Sequence, residues 1–194
     1  AIPLYGRSAD NIRDHRHVTS LLHRIETTDT GVLVTPTLSF DERGHQVNHM
    51  TYYCVGWSGN GEKPVDFYPT AEDFVGEGGN FERPYAIVKN AEGVKAGTKI
   101  EGLEAVGGLH FSEITLEPEE ECSYLIFTGI TEDIQEIRNL SKTYTTREKV
   151  LEELEKTKAY WQEKVNVAYH TGDSDFNQFM HWVSFQPILR RIYG

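Results

Sequence analysis

The chain is short of cysteine, with only Cys54 and Cys122 among its 194 residues. The two residues lie far apart in sequence, and each stands in an apolar run. We therefore expect two reduced thiols in a core rather than a disulfide or a metal site. Reduced thiols favour a cytoplasmic protein, and a chain of this length can bury a core without covalent staples.

Long apolar runs and excess positive charge are also missing. Nowhere do about 18 apolar residues follow one another, and the start of the chain does not resemble a signal peptide, so we expect a soluble protein without a membrane partner. Acidic residues outnumber basic ones by 30 to 19, which gives a net charge of -11. This charge argues against a nucleic acid or an anionic membrane and leaves a neutral ligand such as a sugar open.

Short runs of alternating and β-branched residues predict an antiparallel β-sandwich over residues 1–130, incomplete on its N-terminal side. Pro36 places its strand at an edge or a bulge. Residues 58–84 lose this periodicity and predict a long ordered loop. The strands are expected at residues 17–24, 31–40, 46–57, 85–89, 102–106, 109–116 and 123–130.

From residue 131 the apolar spacing becomes helical, so residues 131–194 are predicted to form linker helices. A short helix follows capping residues at 131–133, and a second helix runs from a capping box at 145–148 to about Asn166. A third begins at Asp173 or Ser174 and is apolar on nearly every side, which predicts that protein beyond Gly194 covers it. Pro187 should bend this helix or mark its first turn.

The first candidate site is the run that contains Arg13, His15 and His17, whose side chains could hydrogen-bond a polyhydroxylated ligand or a neighbouring domain. A solvated loop is the alternative, and two histidines are too few to indicate zinc. On the last helix, Arg191 is a candidate for binding phosphate, with a salt bridge to another domain as the alternative.

The second candidate site is Gly-rich and comprises Phe74, Gly76, Glu77, Gly78 and Gly79. Its glycines allow close approach of the backbone, either as a lid over a ligand or as a tight turn. It is not a phosphate loop, because Glu77 repels phosphate and no Lys-Ser or Lys-Thr pair follows.

A weaker hypothesis pairs Glu77 with Asp73 as acid and base. We identify no complete catalytic arrangement, metal site or cofactor motif in the sequence.

Three segments of the sequence resemble one known family. Residues 65–84, which include the run Phe74-Val75-Gly76-Glu77-Gly78-Gly79, are similar to part of the N-terminal supersandwich domain of glycoside hydrolase family 94, the cellobiose-phosphorylase-like proteins. Residues 7–19 resemble the same domain, and residues 176–194 resemble its junction with the catalytic domain. The resemblance implies a galactose-mutarotase-like antiparallel supersandwich, followed by linker helices that lead to an (α/α)6 barrel outside this sequence.

The resemblance also implies a function. Family members carry out inverting phosphorolysis of β-glucosides, in which an aspartic acid of the barrel protonates the leaving oxygen and inorganic phosphate, the co-substrate, attacks the anomeric carbon. This chain then corresponds to a non-catalytic sandwich and linker portion, inactive alone. Its partners are the remainder of the parent polypeptide, a second copy in a homodimer, and a β-glucan oligosaccharide or disaccharide.

The resemblance assigns the stretch from Arg13 to His17 and the Gly-rich site to the lid or the dimer interface, and it brings Arg191 near the phosphate. The alternative is an autonomous carbohydrate-binding or assembly module.

Overall fold

The computed structural model describes residues 2–3, 19–41, 44–144 and 146–193. The chain divides into two compact units, Ala1–Arg147 and Glu148–Gly194. Each unit is considered by itself below.

The first unit consists mainly of antiparallel sheet. Among the described residues, its larger sheet has the strand order β10-β6-β3-β2-β8, its smaller sheet has the order β1-β9-β7, and β4 pairs with β5. The strands are β1 Ile2–Pro3, β2 His23–Thr27, β3 Gly31–Pro36, β4 Leu38–Asp41, β5 Gly44–Val47, β6 Thr51–Ser58, β7 Asp66–Thr70, β8 Lys99–Glu101, β9 Ala105–His110 and β10 Tyr124–Thr131.

The core lies between the larger and the smaller sheet. Ile25, Val32, Val34 and Cys54 project from the larger sheet and cluster with Phe67 and Ala105 of the smaller one. Alternate residues of a strand point to opposite faces, so these positions fix which face of each strand is buried. The Cys54 Sγ also lies 3.5 Å from the Gly107 carbonyl oxygen of β9, in a contact that crosses the sandwich.

Short helices cover the outer face of the smaller sheet. They are α1 Ala71–Val75 and α2 Tyr85–Val88. Tyr68 of β7 and Val106 of β9 form a second buried cluster with Phe74 and Ala86 of these helices. The smaller sheet is therefore packed on both faces.

Another helix, α3 Ile134–Thr143, follows β10. The Asp133 carboxylate caps it by accepting a 2.9 Å hydrogen bond from the Gln135 amide, which confirms the predicted capping. Nearby, the Trp57 ring stacks on Phe127, and its Nε1 donates to the Tyr144 carbonyl oxygen at 2.7 Å. This contact attaches the end of α3 to the larger sheet.

Two long helices follow, α4 Arg147–Lys164 and α5 Ser174–Tyr193, and the second unit contains both except Arg147, the first residue of α4. The Asp173 carboxylate accepts from the Asp175 and Phe176 amides at 3.0 Å, as expected for the predicted N-cap. Trp161 of α4 packs against Phe185 of α5 with ring centroids 4.3 Å apart. No described helix combines the length and apolar character that a membrane span requires.

The predicted fold class, an antiparallel β domain followed by helices, is confirmed in the described part of the chain. Several local predictions are wrong. Residues 85–88 form α2 rather than a strand. Pro84, which precedes the helix, has a φ of -69° fixed by its ring. Its missing amide hydrogen costs nothing there, because an amide at the start of a helix has no partner within the helix. The predicted 58–84 loop contains β7 and α1.

The strand boundaries also differ from those expected. A bend at Thr37 divides the predicted 31–40 strand into β3 and β4, and residues 111–116 continue β9 as irregular chain instead of forming a strand. Residues 46–57 divide between β5 and β6. Cys122 is exposed rather than in the core, because it precedes β10 in a polar segment that includes three glutamates.

The two thiols should differ in reactivity. Burial raises the pKa of the Cys54 thiol to about 11, and only the thiolate attacks a disulfide reagent. We expect an aromatic disulfide reagent at pH 8 to modify Cys122 at once and Cys54 only after unfolding in urea. A Cys122→Ser variant should then show no rapid phase, and a rapid phase in that variant would contradict the buried position of Cys54.

Candidate functional site

The Gly-rich site begins at the end of α1, which the sequence positions through a local cap. Thr70 Oγ1 accepts from the Asp73 amide at 3.1 Å and donates to the Asp73 carboxylate at 2.7 Å. Phe74 is buried and packs with Tyr68 and with Phe81, at ring-centroid distances of 5.9 and 6.2 Å. Phe74 therefore anchors the segment to the smaller sheet instead of facing a ligand.

Two glycines of the site have steric roles. Gly76 ends α1 with a φ of 77°, and a Cβ atom there would lie 2.5 Å from the Tyr85 Cβ. A Cβ atom at Gly79 would lie 2.2 Å from the Val75 carbonyl oxygen. Each glycine thus permits a close approach that another residue would block. Both contacts are compatible with a tight turn, and Glu77 and Gly78 at the tip are exposed.

An open cleft of about 470 Å³ lies beside this segment. Carboxylate side chains line much of it, and the Tyr85 ring, with 52% of the residue exposed, contributes an aromatic surface. Carboxylates accept hydrogen bonds from hydroxyl groups and repel anions, while an exposed ring can stack on the apolar face of a sugar. The acidic residues of the cleft are Glu72, Asp73, Glu77 and Glu92.

A second polar cluster lies on the outer face of the same sheet. The buried Asp66 carboxylate lies 2.7 Å from His110 Nδ1, with Lys95 Nζ 3.9 Å from its other oxygen. Tyr68, the next outward residue on β7, donates from its hydroxyl to the Ala91 carbonyl oxygen. Burial, and then the Asp66 charge, raise the pKa of Tyr68. The cluster holds the 91–95 segment against the sheet next to the cleft.

His110 also lines a smaller cleft of about 210 Å³ together with Ile87 and Asn90. Because Nδ1 faces Asp66, Nε2 is the remaining polar atom of the ring. Asp66 can hold one orientation of the imidazole and thereby present Nε2 as a hydrogen-bonding group. The arrangement can orient a polar ligand, and it also ties β7 to β9.

Sequence reasoning missed this cluster. Asp66 and His110 are 44 residues apart and meet only because β7 pairs with β9 in the register Asp66↔His110. The one available signal was Asp66, a carboxylate in the otherwise apolar run 65–69. A buried charge requires a partner, so this residue predicts a nearby hydrogen-bond donor or cation but not which one.

Several of the other predicted site residues fall outside the part of the chain that the structure describes. Arg13, His15 and His17 lie outside the described residues, and so does the Arg191 side chain, although the backbone of Arg191 belongs to α5. Their assignments, like the lid role of the Gly-rich site, stay predictions. Asp73 and Glu77 both line the cleft, but Asp73 already accepts the hydrogen bond from Thr70.

The close approach at Gly79 can be tested by substitution. Gly79→Ala should lower the free energy of unfolding by about 1–3 kcal/mol, because the added methyl group forces Val75 and the turn apart. Gly172→Ala is the control, since its Cβ meets nothing within 4 Å. Urea unfolding measures both variants, and equal stabilities would contradict the steric role of Gly79.

Comparison with known families adds to this geometry. No curated protein matches the chain by sequence. The family model described as glycosyl hydrolase 94, supersandwich domain, matches residues 7–147, which is most of the chain and covers the first compact unit except its first residues. The match includes the Gly-rich site, both clefts and the Asp66–His110 pair. The chain belongs to glycosyl hydrolase family 94, a family of glycoside phosphorylases, through its supersandwich domain.

Proposed function

We propose that this chain is the sandwich and linker portion of an inverting phosphorylase that acts on β-glucosidic disaccharides or oligosaccharides, and that it has no turnover of its own. The acidic cleft beside the Gly-rich site is the observation that carries the proposal. Its carboxylates and the exposed Tyr85 suit a neutral, hydroxyl-rich ligand and disfavour phosphate.

The chemistry divides between two parts of the parent enzyme. In phosphorolysis, an acid donates its proton to the glycosidic oxygen as that bond breaks, and a phosphate oxygen bonds to the anomeric carbon with inversion. The products are a sugar 1-phosphate and the shortened sugar. A phosphate site requires cationic donors, so the proposal assigns the acid and the phosphate to the barrel, with Arg191 near the phosphate, and the supersandwich to the sugar.

The Gly-rich site then acts as a lid or interface segment. Glu77 and Gly78 form an exposed tip whose base is fixed by Phe74, so the tip can contact a neighbouring molecule without moving the sheet. In a homodimer the tip of one subunit would help to cover the sugar in the other. The run that contains Arg13, His15 and His17 is assigned to the same interface.

We also propose a cytoplasmic location. Cys54 and Cys122 are both free, and one of them is exposed, which suits a reducing compartment.

The alternative is an autonomous carbohydrate-binding module. It is favoured by the exposure of Phe81 as well as Tyr85, because exposed rings can stack on the faces of a glycan without help from a barrel.

A turnover assay tests the leading proposal. We expect the 194-residue chain, incubated with inorganic phosphate and cello-, laminari- or sophoro-oligosaccharides, to release no sugar 1-phosphate, since the proposal assigns the proton-donating acid and the phosphate site to the barrel. Coupled detection of glucose 1-phosphate measures the product, with a complete family 94 enzyme as the positive control. Turnover by the chain alone would end the proposal.

Calorimetric titration with the same oligosaccharides separates the two functions. If the chain needs the barrel to hold a sugar, its dissociation constant for these oligosaccharides should exceed about 1 mM, which corresponds to a binding free energy below about 4 kcal/mol. Tighter binding that Tyr85→Ala weakens at least about tenfold, a loss of roughly 1.4 kcal/mol, would support the module instead. The control is Val88→Ala on the same helix, because Val88 is 52% exposed, as Tyr85 is, and lines neither cleft.

A further inference from the structure

β10 forms one edge of the larger sheet in the described part of the chain. All eight of its residues pair with β6 in unbroken register, from Tyr124↔Ser58 to Thr131↔Thr51. The amide of Gly59 donates to the carbonyl oxygen of its partner Ser123 at 2.7 Å. Backbone groups alternate in direction along an antiparallel strand, so the odd-numbered residues of β10 bond to β6.

The even-numbered residues of β10 therefore turn their backbone amides and carbonyls away from the sheet. They are Tyr124, Ile126, Thr128 and Ile130. Among the described residues, these groups have no neighbouring strand. The outer edge of β10 thus presents a row of donors and acceptors to which another strand can bond.

The same residues also expose apolar side chains. Thr128 pairs with Cys54, so the even-numbered side chains share the inner face of the sheet. The Tyr124 ring lies there with its centroid 4.6 Å from that of Phe111, yet all four even-numbered residues remain exposed. Ile126 is 42% exposed and Ile130 is 57% exposed. The strand has no charged residue, no proline and no bulge, the features that normally protect an edge from pairing.

Acidic residues lie at both ends of this uncharged strand. Glu119, Glu120 and Glu121 precede it, and Glu132 and Asp133 follow it. If a second copy added its own β10 antiparallel about Phe127, Glu121 of one chain would lie opposite Asp133 of the other. Like charges directly opposite each other destabilise a strand pair, so the acidic ends disfavour self-pairing.

We propose that β10 binds an extended segment of a partner protein by strand addition, and that this segment carries alternate apolar side chains with lysine or arginine near each end. The backbone of the segment bonds to the outward groups of β10. Its apolar side chains contact Ile126 and Ile130, while its basic ends face Glu121 and Asp133. This surface is separate from the acidic cleft, so it adds a protein partner to the proposed sugar-handling role.

Fluorescence anisotropy with two matched peptides tests the proposal on the full 194-residue chain. Each peptide has eight alternating valine and threonine residues, flanked by lysine pairs in one and by glutamate pairs in the other. We expect the lysine peptide to bind at least about tenfold more tightly at low salt, and 0.5 M salt to reduce this difference. Equal affinity for the two peptides, or binding of neither, would refute the proposal.

Variants of β10 identify the surface. Thr128→Pro removes one outward amide and should weaken binding of the lysine peptide at least about tenfold, whereas Thr128→Val keeps that amide and should bind normally. Circular dichroism shows whether Thr128→Pro folds. If it does not, Ile126→Lys replaces it, because the added positive charge repels the lysine peptide. Unchanged binding by the folded variant would refute the proposal. A second result would also refute the proposal. If the wild-type chain forms a dimer in sedimentation and the variant does not, a second copy of the chain, rather than a partner protein, occupies β10.

Discussion

Phe67 lies between the two sheets with 1% of its surface exposed, and it clusters there with Ile25, Val32 and Cys54. Because side chains alternate along a strand, this inward position turns the neighbours of Phe67 on β7, Asp66 and Tyr68, to the outer face. A shift of one residue would place the Asp66 charge in the apolar core and remove it from His110. The position of the polar cluster thus depends on how the core is packed.

The fold class could be predicted from the sequence because the strands and helices that define it are indicated by residues close together in the chain. Alternation places β3, β6 and β10, and capping residues place the starts of α3 and α5. The candidate site is less accessible to such patterns. The Asp66–His110 contact comes from pairing between distant strands, and α2 follows from the geometry of Pro84 in a segment whose residues favour a strand. The exposure of Cys122, by contrast, could be inferred from its neighbours, because three glutamates directly precede it.

The negative charge of the molecule is arranged in a way that bears on its ligands. Glu72, Asp73, Glu77 and Glu92 gather around one cleft, whereas β10 carries no charge between its acidic ends. The first arrangement offers hydrogen-bond acceptors to hydroxyl groups, and the second leaves backbone groups and apolar side chains accessible. A single net charge of -11 therefore describes two chemically different surfaces.

The strand order of the larger sheet has a consequence for synthesis on the ribosome. β2 pairs with β8, so Arg24 cannot form its pair until Glu101 has been synthesised. β6 can pair with β10 only after β10 has left the ribosome. Closing such long loops costs chain entropy before the contacts repay it, which slows folding. The nascent chain must therefore keep β2 and β6 soluble while later strands are translated, and during this interval it is open to misfolding or to capture by a chaperone.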